Sequence, residues 1–173
     1  MELGGNAPFI VFDDANMEAA LDLAVGIKFG NCGQICVAAN RFFIHEKIYD
    51  EFLSAYIARV NKLKLGFGKD SNGDMGPLVS RDAQLRMIKI VDDATSKGAK
   101  IETGGKIPEA FDKGYWFEPT VLSNVTTEMM AYQQETFGPI APIFKFKTEE
   151  EVLALANDTE YGLASYLFTD DPE

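Results

Sequence analysis

The sequence predicts an α/β domain built on a mainly parallel sheet. Short apolar runs of strand length alternate along the chain with longer segments whose apolar residues recur at helical spacing. The 173 residues are 46% hydrophobic and 25% charged, which is the balance of a globular domain with a sizeable core. No internal repeat or linker interrupts the alternation, so we expect one layered α/β unit.

The first half of the chain holds two predicted strand–helix pairs. An apolar run predicts a strand over 9–12, and Asn16 can cap the helix that continues to about residue 28. A glycine-containing turn from Gly30 to Gly33 ends that helix. Another apolar run predicts a strand over 42–44. Apolar positions at helical spacing then predict a helix over 49–63, namely Phe52, Tyr56, Val60 and Leu63.

The second half begins with a glycine-rich loop over 65–80. A helix is predicted over 81–97, with Leu85, Ile88 and Val91 facing inward and Gly98 ending it. Thr148 caps a later helix that continues to 157, and three glutamates occupy its first turn, where the helix dipole favours them. The extended segments predicted around these helices are 100–102, 116–122, 140–146 and 164–168.

Charge and cysteine content exclude several classes of function. The net charge of −11 argues against nucleic acid and anionic membranes as partners. No apolar run approaches the roughly 18 residues that would predict a membrane span. Cys32 and Cys36 are too few for a disulfide framework, and free thiols fit a cytoplasmic protein. A zinc site would need two further soft ligands, but His45 is the only histidine, so we expect no metal.

Cys36 is the first candidate for chemistry. It follows a helix and a glycine-containing turn, a setting that can hold a thiol exposed and rigid enough to act as a nucleophile. The alternative is a small buried hydrophobe, as most free cysteines are. A Cys–His dyad with His45 is conceivable, although a solvated histidine at a strand end is the simpler interpretation.

Two glutamates are further candidates. Glu2 precedes Gly4 and Gly5, which can bring the backbone close to a neighbouring group, so its carboxylate could serve as a general base. Glu135 and Phe137 precede a Gly-Pro turn, and together they could hold a ribose and cover a ring. Taken singly, each has an ordinary alternative: a surface glutamate, a loop glutamate and a core phenylalanine.

Taken together and in this order, these segments resemble the aldehyde dehydrogenase superfamily. Glu2-Leu3-Gly4-Gly5 is similar to its glutamate motif, and Gly33-Gln34-Ile35-Cys36 is similar to its cysteine motif, 34 residues after Glu2. Glu135-Thr136-Phe137-Gly138-Pro139 is similar to its cofactor-side motif. Three further segments resemble the family: Gly73-Asp74-Met75-Gly76-Pro77-Leu78, Phe117-Glu118-Pro119-Thr120 and Ala156-Asn157-Asp158-Thr159-Glu160-Tyr161-Gly162-Leu163.

The resemblance implies a fold and a reaction. The fold would be the three-layer α/β/α catalytic domain of the family over residues 1–173, incomplete because the N-terminal dinucleotide-binding domain and a C-terminal segment lie outside it. Cys36 would attack an aldehyde, and Glu2 would activate the water that releases the carboxylic acid. Glu135 and Phe137 would contact the nicotinamide ribose end of NAD or NADP. The resemblance also implies a homo-oligomeric full-length enzyme, with the isolated chain inactive.

The substrate is the point at which the resemblance weakens. The chain is most similar to succinate-semialdehyde dehydrogenases and related semialdehyde enzymes, which usually carry an arginine six residues before the nucleophile. Here that position is Gly30, which offers no charge-assisted bond to a substrate carboxylate. Two other functions stay open from sequence: a cofactor-independent thioesterase or esterase, and a catalytically silent interaction domain.

Overall fold

The computed structural model describes residues 3–69 and 73–171. The predicted Glu2 therefore lies outside the described residues. The strands are β1 (Ala7–Val11), β2 (Ala39–His45), β3 (Lys100–Thr103), β4 (Thr120–Ser123), β5 (Ile140–Phe146) and β6 (Tyr166–Phe168). The α-helices are α1 (Met17–Phe29), α2 (Tyr49–Val60), α3 (Arg81–Ser96), α4 (Met130–Gln133) and α5 (Glu149–Asn157), and a 3-10 turn (Gly30–Gly33) follows α1.

Among the described residues the strands form one six-stranded sheet in the order β3-β4-β5-β2-β1-β6. All neighbouring pairs are parallel except β3 with β4, which are antiparallel. The predicted mainly parallel α/β architecture is therefore confirmed. In the predicted segment 116–122, only its last three residues belong to the observed strand β4, which extends to Ser123.

Both faces of the sheet are covered, which gives three layers. Alternate residues of the central strands point to opposite sides, as the period of a strand requires. Phe9 and Phe42 pack with α1, α2 and α3 in the larger core cluster. Ile10 and Phe43 face the other way and pack with Tyr132 and with Val152 of α5. The two central strands are thus buried on both faces, as parallel strands usually are.

The helix starts agree with the sequence. The side chain of Asn16 accepts a hydrogen bond from Ala19 N at 3.1 Å, and Thr148 Oγ1 accepts one from Glu151 N at 3.3 Å. Both contacts satisfy backbone donors that the first helical turn leaves free. The predicted helix 49–63 ends earlier, at Val60.

The predicted inward face of α3 was right for the buried Val91 and the half-buried Ile88, and wrong for Leu85. Leu85 is 48% exposed, and the buried positions of the helix are Gln84, Met87, Ile90, Val91 and Ala94. Gln84 is tolerated inside because its Nε2 donates to the backbone oxygen of Trp116 at 2.8 Å. A satisfied polar side chain can replace an apolar one in a core, so Gln84 rather than Leu85 faces inward on this turn.

His45 was also expected to be solvated, and it is not. It ends β2 with 8% of its surface exposed, and its Nε2 lies 3.1 Å from the backbone oxygen of Lys147. Its ring packs edge-on against Phe146, with the ring centres 5.3 Å apart. The histidine is therefore part of the structural packing at this end of the sheet.

Candidate functional site

Cys36 lies at the end of the sheet where β2 begins. The turn that leads to it contains three consecutive residues with positive φ, namely Asn31 at 50°, Cys32 at 59° and Gly33 at 70°. Such a left-handed turn is costly for L-residues other than glycine and asparagine. Side-chain bonds stabilise it: Asn31 Nδ2 donates to Gln34 O at 3.1 Å, and Gln34 Nε2 donates back to Asn31 O at 3.2 Å.

The two cysteines have different environments. Cys36 is partly exposed, whereas Cys32 is 1% exposed and belongs to the larger core cluster. Burial raises the pKa of the Cys32 thiol to about 12, so it stays protonated at neutral pH. Because the thiolate is the nucleophile, Cys32 is unsuited to attack, and Cys36 is the thiol that a substrate can reach.

His45 does not form a dyad with Cys36. Cys36 precedes the first residue of β2 and His45 is the last, so the strand separates them by roughly 20 Å at about 3.3 Å per residue. Such a gap is far beyond hydrogen-bond reach. The Cys–His hydrolase alternative thus loses its geometric basis.

Gly5 brings the glutamate motif against the nucleophile. A Cβ atom built on Gly5 would lie 2.2 Å from the carbonyl oxygen of Cys36, closer than real Cβ atoms approach. Only a glycine therefore fits where the two backbones meet. Gly5 of the glutamate motif thus lies directly against the backbone of Cys36.

The Glu135 carboxylate contacts the same two glycines of the glutamate motif, Gly4 and Gly5. Its Oε1 accepts a hydrogen bond from Gly5 N at 2.9 Å, and its Oε2 would lie 3.0 Å from a Cβ on Gly4. The backbone oxygen of Glu135 in turn accepts a bond from Arg86 at 2.6 Å. A carboxylate has about four acceptor positions, and the Gly5 N–H uses one of them, which leaves capacity for a ligand hydroxyl.

The cofactor-side motif also touches the cysteine motif. A Cβ on Gly33 would lie 2.3 Å from the backbone oxygen of Gly138. Phe137, one residue earlier, has a positive φ of 49° and is 40% exposed. Its ring borders a hollow of about 380 Å³, which is also lined by Asn31, Gln34, Pro77 and Val79. An exposed ring beside an apolar hollow suits a flat aromatic ligand.

The sequence analysis missed one further residue of the site, Lys28. It is fully buried at the end of α1, and its Nζ donates to Asn40 Oδ1 at 3.1 Å. Asn40 Nδ2 donates in turn to Gly5 O at 3.1 Å. Burial lowers the pKa of Lys28 to about 7, and the charges of Cys32 and Glu135 oppose that shift. A signal existed, because Lys28 continues the buried stripe of Leu21 and Ala24 at helical spacing.

The described residues hold no metal cluster and no membrane helix. Within 3–69 and 73–171, no three His, Cys, Asp or Glu side chains come together as metal ligands would. None of the helices over that part of the chain is long and apolar enough to cross a bilayer.

Three sequence motifs are therefore in mutual contact around Cys36. The sequence pattern of the aldehyde dehydrogenase family matches residues 1–173. The chain belongs to the aldehyde dehydrogenase family.

Individual relatives agree with the family assignment. The chain is 51% identical to "Succinate-semialdehyde dehydrogenase [NADP(+)] 2" of Schizosaccharomyces pombe, covering 99% of this chain and 34% of that protein. It superimposes on a crystal structure of succinate-semialdehyde dehydrogenase from Burkholderia pseudomallei with a TM-score of 0.96 at 49% identity, over 99% of this chain and 35% of that one.

A second solved structure is that of a betaine aldehyde dehydrogenase. This Staphylococcus aureus enzyme, in complex with NAD+, matches with a TM-score of 0.95 at 42% identity, over 98% of this chain and 34% of that one. These matches confirm the predicted fold. The chain spans about a third of the length of the relatives that it matches.

Proposed function

We propose that this chain is the catalytic-domain segment of an NAD(P)-dependent aldehyde dehydrogenase that oxidises an aldehyde or semialdehyde to the carboxylic acid. The observation that supports this most is the meeting of three motifs around Cys36. Gly5 packs on the Cys36 carbonyl, Gly33 packs on the Gly138 carbonyl, and Gly5 N–H binds Glu135. Residues far apart in sequence thereby supply a nucleophile, a carboxylate and an exposed ring at one place.

The chemistry begins at the Cys36 sulfur. The thiolate adds to the aldehyde carbon, a C–S bond forms, and the carbonyl π electrons move to oxygen. When that carbonyl re-forms, the carbon loses hydride and becomes a thioester to Cys36. Glu2 is assigned to take a proton from water, whose oxygen attacks the thioester and expels the Cys36 thiolate as the acid leaves. A general base of this kind typically contributes about 10²–10⁴-fold.

The nicotinamide cofactor, when bound, supplies the oxidising capacity by accepting the hydride. The residues present fit it. Glu135 retains acceptor capacity for ribose hydroxyls, and Phe137 offers an exposed ring beside an apolar hollow. One relative is named as an NADP+ enzyme, and another was solved in complex with NAD+.

The chain alone is expected to be inactive. It corresponds to about a third of its relatives, and Glu135 and Phe137 could contact only the ribose and nicotinamide end of a dinucleotide. Most of the cofactor's binding energy would then come from the remaining two thirds.

The two free thiols support a reducing compartment such as the cytoplasm for the enzyme.

A chimaera tests the proposal without assuming any sequence outside the chain. Residues 1–173 would replace the matching segment of the Burkholderia enzyme, and reduced cofactor would be followed by its absorbance with several aldehydes. We expect turnover by the chimaera, none by its Cys36→Ala variant, and none by the isolated chain. Ester hydrolysis without cofactor, combined with no aldehyde oxidation by a folded chimaera, would contradict the proposal.

A further inference from the structure

The Gly5 peptide is held from both sides. Its N–H binds Glu135 Oε1 at 2.9 Å, and its carbonyl accepts from Asn40 Nδ2 at 3.1 Å. A Cβ on the same residue would collide with the Cys36 carbonyl. This one residue is therefore in contact with the Cys36 backbone, with Glu135 and with β2.

The hydrogen bond from Asn40 to the Gly5 carbonyl forms only in one orientation of the Asn40 side-chain amide. An asparagine side chain has an acceptor oxygen and a donor nitrogen that differ little in shape, so its partners choose between the two orientations. If the amide turned over, Oδ1 would face the Gly5 carbonyl and two oxygens would oppose each other. Asn40 is 2% exposed, so water does not easily replace the lost bond.

The Lys28 ammonium determines which orientation the Asn40 side-chain amide adopts. The protonated lysine ammonium is a donor with no acceptor capacity, so below about pH 7 only Oδ1 of Asn40 can face it favourably. Among the described residues, Asn40 Oδ1 is its hydrogen-bond partner, at 3.1 Å. Lys28 is fully buried in a core position where an apolar side chain would ordinarily be more stable. A charged residue retained there at a cost in stability implies a role other than packing.

We infer that Lys28 is a positioning residue for the active site. By fixing the Asn40 amide, it holds the Gly5 carbonyl, and through Gly5 it sets the place of the Glu135 carboxylate. This inference deepens the proposed function, on which its kinetic part rests. Lys28 itself touches neither substrate nor cofactor in this arrangement.

Amide hydrogen exchange of the 173-residue chain tests the network without any activity. The Gly5 N–H should be protected in the wild type, and Lys28→Met should speed its exchange roughly tenfold or more, the effect of losing one hydrogen bond. Asn40→Asp should do the same from the other end, because a carboxylate keeps the bond to Lys28 but cannot donate to Gly5 O. Lys62→Met removes an exposed lysine and should leave Gly5 unchanged.

Global unfolding cannot mimic this result. Removing the buried charge of Lys28 should raise global stability, so faster exchange at Gly5 alone would report a local loosening. Unchanged Gly5 exchange in both Lys28→Met and Asn40→Asp would overturn the inference. So would faster exchange spread uniformly over the core, which would show a merely structural role.

Kinetics of the chimaera provide the second test. Because Glu135 is assigned to the cofactor, Lys28→Met should raise the KM for NAD(P) roughly tenfold and leave the KM for the aldehyde within about twofold. An equal rise in the KM for NAD(P) and the KM for the aldehyde, or no rise in either, would count against positioning through Glu135. If the wild-type chimaera failed to oxidise aldehydes, the proposed function would be refuted, while the exchange measurement would still decide the network.

Discussion

Replacing Lys28 by methionine should change how the stability of the chain depends on pH. The pKa of Lys28 falls from its ordinary value of 10.5 to about 7 because the side chain is fully buried. Methionine has a similar length and no charge, so the variant removes the titration with little change in volume. The substitution also leaves Asn40 Oδ1 without the Lys28 donor.

The sign of the effect follows from proton binding. Below pH 7 the lysine is charged in both folded and unfolded chains, and the folded state bears the full cost of the buried charge. Between pH 7 and 10.5 the folded state releases the proton and the unfolded state keeps it, so the free energy of unfolding rises with pH. At about 1.4 kcal/mol per pH unit, the wild type should gain roughly 2 to 3 kcal/mol between pH 7 and 9.

The variant should therefore be more stable near pH 6, and its advantage should shrink as the pH rises. The full shift corresponds to about 4 to 5 kcal/mol, from which the unpaired Asn40 oxygen subtracts about 1 to 3 kcal/mol. An advantage of roughly 2 to 4 kcal/mol at pH 6 is expected. Cys32 is present in both proteins, so the loss of stability that its raised pKa causes as the pH rises through about 9 cancels to first order in the comparison.

Urea unfolding measures the difference directly. The only tryptophan, Trp116, is buried and stacked on Phe111, so its fluorescence should report the transition. The wild type and Lys28→Met would be compared at pH 6, 7.5 and 9, with Lys62→Met as the exposed-lysine control. A stability difference that stays constant within about 0.5 kcal/mol over this range would refute the reasoning, since Lys28 would then be protonated in the folded chain throughout.

Three further predictions concern the turns around the nucleophile. Gly5→Ala should destabilise the chain by about 1 to 3 kcal/mol or more because its Cβ meets the Cys36 carbonyl. Gly26→Ala enters open space in a helix and should stabilise the chain by about 0.5 to 1 kcal/mol. Equal effects of the two substitutions in thermal melts would disprove the clash. Gly30→Arg also enters open space, and in the chimaera it should improve kcat/KM for succinate semialdehyde over butanal by about 10- to 100-fold, an improvement that Gly30→Met should lack. Iodoacetamide should label Cys36 well before the buried Cys32, and peptide mapping that finds the reverse order would remove Cys36 as the candidate nucleophile.

The layered fold was largely predictable because local patterns encode it. Apolar runs and cap residues located the central strands and the starts of α1 and α5 within a few residues. The face of α3 was not predictable in the same way. Its apolar residues extend around the helix, and the burial of Gln84 relies on a bond to the distant Trp116 backbone.

The candidate site was also predictable only in part. The three motifs could be identified singly, but their contacts join residues more than a hundred positions apart, as Gly5 and Glu135 do. Spacing alone cannot reveal such contacts. Lys28 was missed for a different reason: charged residues are rarely buried, so a lysine at the end of a helix is ordinarily assigned to the surface. The assignments of Glu2, Cys36, Glu135 and Phe137 to catalytic and cofactor roles remain predictions.

The left-handed turn from Asn31 to Gly33 has a consequence for the order of folding. The turn holds Cys32 at a positive φ that is disfavoured locally, so its local Asn31–Gln34 bonds need support from tertiary contacts. We expect it to form only after Gly138 and the helix end around Lys28 are in place to hold Gly33. Substituting Asn31 by alanine should then accelerate unfolding and leave the folding rate nearly unchanged, and a slowed folding rate would show the turn forming early. The nucleophile would thus reach its reactive position as one of the last events in the maturation of the core.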